Sequence, residues 1–543
     1  SIPQDMYTEE VREVKENNFE VLMQYNKQLN DDFSLGANLG ANRRINTLFR
    51  NTGRTVGGLN VPNFFSVEAS VDRPKVEDFY QERQINSVYG SANVGFRDIV
   101  YLEGTLRNDW SSTLPAGNNS YLYPSVTTSF VFSELFPNSG VLSFAKIRGG
   151  WAQVGNDTDP YRLATVYQSE NNYGSSPAFS VPNRLNNSEL RPEITSSYEV
   201  GLDLRFWNNR LGIDVTYYDN ETTDQIIPLD VSATSGFADA IVNAGLVTNR
   251  GWEVMVTGTP IETASGFSWD ITANWARNRN KVVELAEGQN NFLIASWGPS
   301  INARVGEPYG TIVTEAFMLN ENGDRVVGDD GFYLREIDQV VGNIMPDFTG
   351  GVMNQFSFKG INVSALVDFQ KGGNLYSVTN RYGEYSGLLA STVGNNSLGN
   401  PMRDPVLIND DGTVDPNSGG VVADGVMNVG TEENPVYEQN TIPTAANEYF
   451  QRLRSIRENY VYDASFVKLR EVRIGYTFPK ALYENIPVQS ISLAFVGRNL
   501  ALLHSNIPNV DPEAALGSGN IQGFENGQLP SIRSLGFNLN IKL

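Results

Sequence analysis

Residues 197–221 read SYEVGLDLRFWNNRLGIDVTYYDNE. Tyr198, Val200, Leu202, Leu204 and Phe206 fall on one side of an extended chain, and Glu199, Gly201, Asp203 and Arg205 on the other, which is the period of two that a β-strand imposes. After Trp207-Asn208-Asn209-Arg210 the alternation resumes, with Leu211, Ile213, Val215 and Tyr217 on one side and Gly212, Asp214 and Thr216 on the other. Asparagine accepts the positive φ of a tight turn at low steric cost, so the stretch predicts a β-hairpin.

The same pattern recurs in both directions along the chain. Trp252, Val254 and Val256 stand against Glu253 and Thr257, and Phe267, Trp269, Ile271, Ala273 and Trp275 against Ser268, Asp270, Thr272 and Asn274. At the C-terminus Leu535, Phe537, Leu539, Ile541 and Leu543 alternate with Gly536, Asn538, Asn540 and Lys542. Fifteen strands are predicted, near 18–26, 33–42, 85–96, 99–107, 122–133, 141–153, 195–206, 211–221, 245–259, 267–277, 347–358, 361–370, 463–478, 489–498 and 531–543.

Their connections alternate in length. Short turns fall at 27–32, 97–98, 134–140, 207–210, 260–266, 359–360 and 479–488, and long loops at 43–84, 108–121, 154–194, 222–244, 278–346, 371–462 and 499–530. A soluble β-sandwich also alternates apolar and polar residues, but nothing obliges it to keep short and long connections in strict order. That order marks an all-β transmembrane antiparallel β-barrel, with short periplasmic turns and long extracellular loops. The first and last candidate strands both run toward the periplasm. A bacterial barrel takes an even number of strands, so an odd number is expected upstream, with residue 1 inside an extracellular loop.

Composition agrees with this reading. The 543 residues contain no apolar run of about eighteen, which excludes a spanning helix, and the mean hydropathy of -0.30 suits a wall in which only every second strand residue meets lipid. There is no cysteine, so disulfides and thiolate metal sites are excluded, and a net charge of -22 argues against nucleic acid as a partner. Ser1 to Glu20 is polar and charged and does not read as a signal peptide, so the synthesised N-terminus is expected to lie elsewhere.

Several segments then carry a resemblance: 106–115 (LRNDWSSTLP), 123–126 (YPSV), 151–158 (WAQVGNDT), 187–193 (NSELRPE), 278–282 (NRNKV), 463–470 (DASFVKLR) and 497–500 (GRNL). In this order they closely resemble the SusC/RagA family of TonB-dependent outer-membrane transporters from Bacteroidetes. The resemblance implies a barrel of about 22 strands, with residues 1–543 as its C-terminal part and the N-terminal plug, the TonB box and the first strands outside them. It also implies a SusD-like surface lipoprotein as a lid, energy from the TonB complex, an oligosaccharide or peptide substrate, and assembly as dimers of transporter–lid pairs.

No catalytic, cofactor-binding or metal-ligating residue is assigned, and the substrate contacts are left open. His504, the single histidine, is placed in the last long loop beside Ser505 and lacks the companions of a triad or zinc site. Asp329-Asp330 and Asn409-Asp410-Asp411-Gly412 miss the spacing of a calcium loop and read as solvated turns, and the glycine-rich stretch 516–519 precedes no helix. Trp110, Tyr121, Tyr123, Trp151 and Tyr161 flank outer loops, where such rings either stack on sugars or form the interfacial girdle. The girdle is favoured for those at strand ends, and for Trp207, Trp269 and Trp275 the girdle or lipid face.

The expectation is a nutrient importer in the outer membrane, multi-pass and in contact with lipid, and not an enzyme. The alternative is a passive pore or an assembly scaffold. A surface hydrolase is disfavoured by the lone histidine.

Overall fold

A computed structural model of the chain describes all residues except 1–5, 137–139, 432, 518 and 520. Part of the turn 134–140 and of the stretch 516–519 therefore lies outside the described residues. One fifteen-stranded sheet joins, in chain order, Thr8–Gln28, Phe33–Leu59, Ser70–Phe96, Val100–Ser111, Ser120–Val131, Leu142–Asn156, Glu193–Phe206, Leu211–Thr223, Leu246–Glu262, Phe267–Glu284, Pro346–Phe358, Ile361–Gly372, Phe466–Thr477, Ser490–Ser505 and Ser534–Lys542. Each of the fifteen overlaps a predicted strand. The chain forms two compact units, one made of 1–137, 145–201 and 218–248, the other of 138–144, 202–217 and 249–543.

In the second unit the pairing register lines up Trp269, Phe356, Val363, Ile474, Phe495 and Phe537 across neighbouring strands. One residue along, on the opposite face, the row reads Ser268, Ser357, Asn362, Gly475, Ala494 and Asn538. Trp269 stacks on Phe356 with ring centroids 5.9 Å apart, the kind of cross-strand pair that fixes register. The apolar row is the exposed one: Phe356, Ile474, Phe495 and Phe537 all present their rings or branches outward. In the first unit Tyr25, Ala37, Ala92, Gly104, Val126 and Trp151 make a corresponding row. A soluble sheet would bury such a face against a second layer, whereas a membrane strand turns it to lipid.

The turn at 207–210 takes three consecutive left-handed residues, Trp207 (φ 52), Asn208 (φ 55) and Asn209 (φ 65), closed by the Arg210 N–H donating to the Trp207 carbonyl at 3.2 Å. The asparagines were expected in that role; the tryptophan was not.

The long loops differ from expectation in two ways. First, 43–84 is not a loop: Phe33–Leu59 and Ser70–Phe96 are 27 residues each and remain paired out to Leu59 and Ser70, leaving only 60–69 as the connection. About 9–11 residues suffice to cross a bilayer, so more than half of each strand stands outside it. There both faces meet water, so the side chains lose their alternation while the main-chain ladder continues. Second, Ser490–Ser505 runs further than predicted, which places His504 inside that strand, paired with Val467, and not in a loop.

The other long connections fold. Residues 278–346 contain a four-stranded sheet of Asn291–Ser296, Ser300–Arg304, Thr311–Phe317 and Arg335–Asn343. Residues 371–462 carry two short helices, Val378–Tyr385 and Ala446–Leu453. A small sheet then joins Val461–Asp463, Asn374–Ser377 and Phe524–Glu525, so two different long connections share one ladder.

Candidate functional site: the outer mouth

Within each unit, several of the segments that carried the family resemblance lie toward the long-loop ends of their strands and fasten loops to the wall, while 497–500 falls in the middle of Ser490–Ser505. In the first unit Asp157 of the 151–158 segment has a side chain only 1% exposed. It accepts from Arg83 Nε at 3.0 Å and again from Arg83 Nη2, from Ser111 Oγ, and from Thr113 Oγ1 at 3.1 Å. One carboxylate thereby ties together Ser70–Phe96, the end of Val100–Ser111 and the loop after residue 156. Burying a charge is costly unless it is paired and hydrogen-bonded, and here every partner is supplied.

Asp109 repeats the arrangement, accepting from Arg107 Nε at 2.9 Å and the Tyr123 hydroxyl at 2.6 Å. Next to these polar ties Leu114, Tyr121, Leu190 and Ile241 form a small apolar core. A side chain at Gly155 would collide with the Tyr121 ring, which is the physical need for glycine in that segment. Leu190 comes from the 187–193 segment, whose neighbour Arg191 pairs with Asp224 at 2.6 Å and whose Glu193 accepts from the Ile226 N–H at 2.7 Å. These bonds hold loop 154–194 against loop 222–244. Tyr121 is thus a buried packing residue, which corrects both the girdle and the sugar-stacking expectations for it, while partly buried Tyr123 braces Asp109.

In the second unit the 463–470 segment does the same work. Asp463 accepts from the Ser465 N–H at 2.8 Å, Lys371 at 3.1 Å and Asn506 at 3.0 Å. Lys468, its side chain 6% exposed, lies 2.5 Å from Asp511 Oδ1 and also pairs with Glu513, while Arg470 bridges Asp368 at 2.6 Å and Glu513. Asp511 further accepts from the Ser531 hydroxyl at 2.6 Å. Burial alone would raise the Asp511 carboxyl, but Lys468 and Ser531 outweigh it and hold the group well below the usual carboxylate range. Glu513 is lowered in the same way, with burial opposing and Arg470 and Lys468 prevailing.

The folded loops have cores of their own. Phe317, Val327, Phe332, Tyr449, Phe450, Leu453 and Ile456 form one, and Ile301, Ile312, Ile344, Tyr376, Tyr460 and Phe524 another. Buried Glu525 is satisfied by Ser377 Oγ and Thr379 Oγ1, both at 2.6 Å. Burial, with the Glu384 carboxylate nearby, pushes the Tyr462 phenol up to about 12. None of these residues was assigned from sequence. The only local signal was the density of apolar and aromatic residues within loops, as in 456–462 (IRENYVY).

The remaining expectations can be placed. Asp330 pairs with Arg452 at 2.6 Å, and Asp411 accepts from the Thr413 hydroxyl at 2.6 Å within an exposed turn. Trp110 is partly exposed, and Tyr161 stands out into solvent on its loop. Among the described residues no group of three or more His, Asp or Glu side chains has metal-ligand geometry.

An exposed apolar band on one face, a polar opposite face, and long loops folded at one end together define an outer-membrane β-barrel wall with a built mouth. The chain belongs to the TonB dependent receptor-like, beta-barrel family, whose profile matches residues 4–312. It sits, with that family, in the outer membrane. It is 26% identical over 507 residues to TonB-dependent receptor P26 of Formosa agariphila, covering 85% of this chain and 46% of that protein. It is 27% identical over 227 residues to TonB-dependent receptor SusC of Bacteroides thetaiotaomicron, covering 40% and 22%. The RagAB peptide transporter shares its fold, with a TM-score of 0.75 and 18% identity over 98% of this chain and 56% of that one. The chain spans about half the length of the Formosa relatives it matches.

Proposed function

We propose that this chain forms most of the wall and the outer mouth of an active importer for oligosaccharides or peptides. In this reading a SusD-like surface lipoprotein closes over the mouth, and TonB withdraws a plug that lies, with the TonB box, outside residues 1–543. About seven further strands close the barrel. Their need is argued from Thr8–Gln28 and Ser534–Lys542, which form the two edges of the sheet and are exposed along their whole length. Unpaired backbone in hydrocarbon costs several kcal/mol per group. Pairs of transporter and lid assemble as dimers.

The observation that carries this reading is the folded mouth. A passive pore needs no cores built from connections as distant as 374–378 and 524. Such a body costs chain entropy and presents a stable surface, as capture and lid docking require. The test is deletion of the gene in its native host, with growth and uptake measured on a range of oligosaccharides and peptides, and repetition after the proton gradient is collapsed. Loss of uptake of one substrate class, abolished also by the protonophore, is the expected result. Uptake that survives either treatment for every substrate overturns the reading.

A further inference from the structure

Loop 154–192 and its neighbours enclose an open bowl of about 870 Å³ in the first unit, with Tyr161, Arg162, Gln168, Asn183, Arg184 and Asp239 on its walls. Tyr161 is 64% exposed and holds φ at 66, a left-handed conformation that tyrosine seldom adopts. The turn is held there by Asn186, whose Nδ2 donates to the carbonyls of Tyr161 at 3.2 Å and Ala164 at 2.8 Å. The chain thus commits an amide to keeping an aromatic ring turned out at the rim. A strained residue of this kind persists only where its surroundings enforce it, and such residues gather at ligand sites.

The walls restrict the ligand. Arg184 grips Asp239 through both Nε and Nη2, and Arg162 pairs with Asp159 at 2.5 Å, so the bowl's charges neutralise one another. A charged ligand would meet no unpaired counter-charge in these groups, and a short peptide would find none for its termini. An arginine–aspartate pair still offers spare donors and acceptors side by side, which suits hydroxyl groups that both give and accept hydrogen bonds. The electron-rich face of an exposed tyrosine suits the C–H face of a sugar ring. The volume lies in the range of small-ligand sites. Leu163, which lines the bowl, also packs on the Leu114–Tyr121–Leu190–Ile241 core, so the floor is fixed. Three more rings on this loop, Tyr167, Tyr173 and Phe179, are 74%, 88% and 66% exposed. They lie outside the wall strands, so an interfacial girdle does not account for them.

We propose that this bowl is a subsite for a neutral oligosaccharide, with Tyr161 as its stacking platform and the Arg184–Asp239 pair, Asn183 and Gln168 as its hydroxyl partners. The proposal rests on the import reading and names the substrate class within it. It is tested on the full-length protein in detergent by titration calorimetry with maltohexaose, cellohexaose, laminarihexaose, xylohexaose, mannohexaose and hexa-alanine. Tyr161→Asn removes the ring yet tolerates the left-handed backbone, and Tyr161→Phe keeps the ring. One of the hexasaccharides is expected to bind, with affinity falling about tenfold or more in Tyr161→Asn and staying within about threefold in Tyr161→Phe. No binding by any hexasaccharide, binding of hexa-alanine alone, or an unchanged Kd in Tyr161→Asn overturns the subsite. Uptake in the deletion strain separates the two ideas. If uptake of the bound sugar is lost on deletion but Tyr161→Asn binds normally, import stands and the bowl fails; if deletion leaves uptake intact, import fails.

Discussion

Replacing Lys468 by methionine removes the one ammonium that lies between Asp511 and Glu513 while keeping the length of the stem. Both carboxylates then face each other with Arg470 as their remaining cation, and Arg470 reaches Glu513 but not Asp511. Breaking a buried pair from one side costs about 3–5 kcal/mol. The lower end applies here, because Asp511 keeps the Ser531 hydroxyl and the N–H groups of Glu513 and Ser531. At about 1.4 kcal/mol per factor of ten, a loss of about 3 kcal/mol raises the open population of the last loop by about two orders of magnitude. Hydrogen exchange over 506–533, followed by mass spectrometry on the full-length protein in detergent, reads this directly. Exchange there should accelerate about a hundredfold while Phe466–Thr477 stays protected. Acceleration of less than about threefold would refute the claim that this ion cluster holds the loop.

The same cluster predicts a pH effect. Asp511 and Glu513 are both lowered in the folded protein, so their contribution is present above the ordinary carboxylate values of 3.8 and 4.5 and is lost as pH falls through the folded ones. Protection over 506–533, the exchange rate taken relative to the intrinsic amide rate at each pH, should be flat from neutrality to about pH 5 and fall below about pH 4, and a fall already at pH 6 would contradict the assignment. On the wall, Val126→Arg sets a cation on the lipid face and should cost about 2–4 kcal/mol of insertion, whereas Thr127→Arg, across from Glu103 on the polar face, should cost less than about 1. Refolding into lipid vesicles in graded urea distinguishes them. Leu190→Ala, at a fully buried position, should destabilise the mouth by about 2–5 kcal/mol and open loop 154–192 to trypsin at Arg162 and Arg184, with the wall intact.

The wall was written locally in the sequence. A strand between lipid and a polar lumen must alternate, so runs such as 267–277 and 531–543 declared their faces, although the first continues to Glu284, and the order of short and long connections set the direction of each. Legibility ended where the membrane ended. Beyond about residue 43 the strand Phe33–Leu59 is wetted on both faces, and main-chain pairing with Ser70–Phe96 left no side-chain period to find.

The mouth was not legible at all as structure, although its residues caught the eye as family motifs. Asp157 gains its role from Arg83 and Ser111, 74 and 46 residues away, and Lys468 from Asp511, 43 residues away. A carboxylate in a polar loop looks like a solvated turn until the partners that bury it are known. Sequence alone determined that this protein lines a membrane, because lipid imposes a period on every strand. Only the tertiary structure decided what stands at its entrance, because those cores and ion pairs gather residues from segments that share no period and meet only once the sheet has brought their strand ends together.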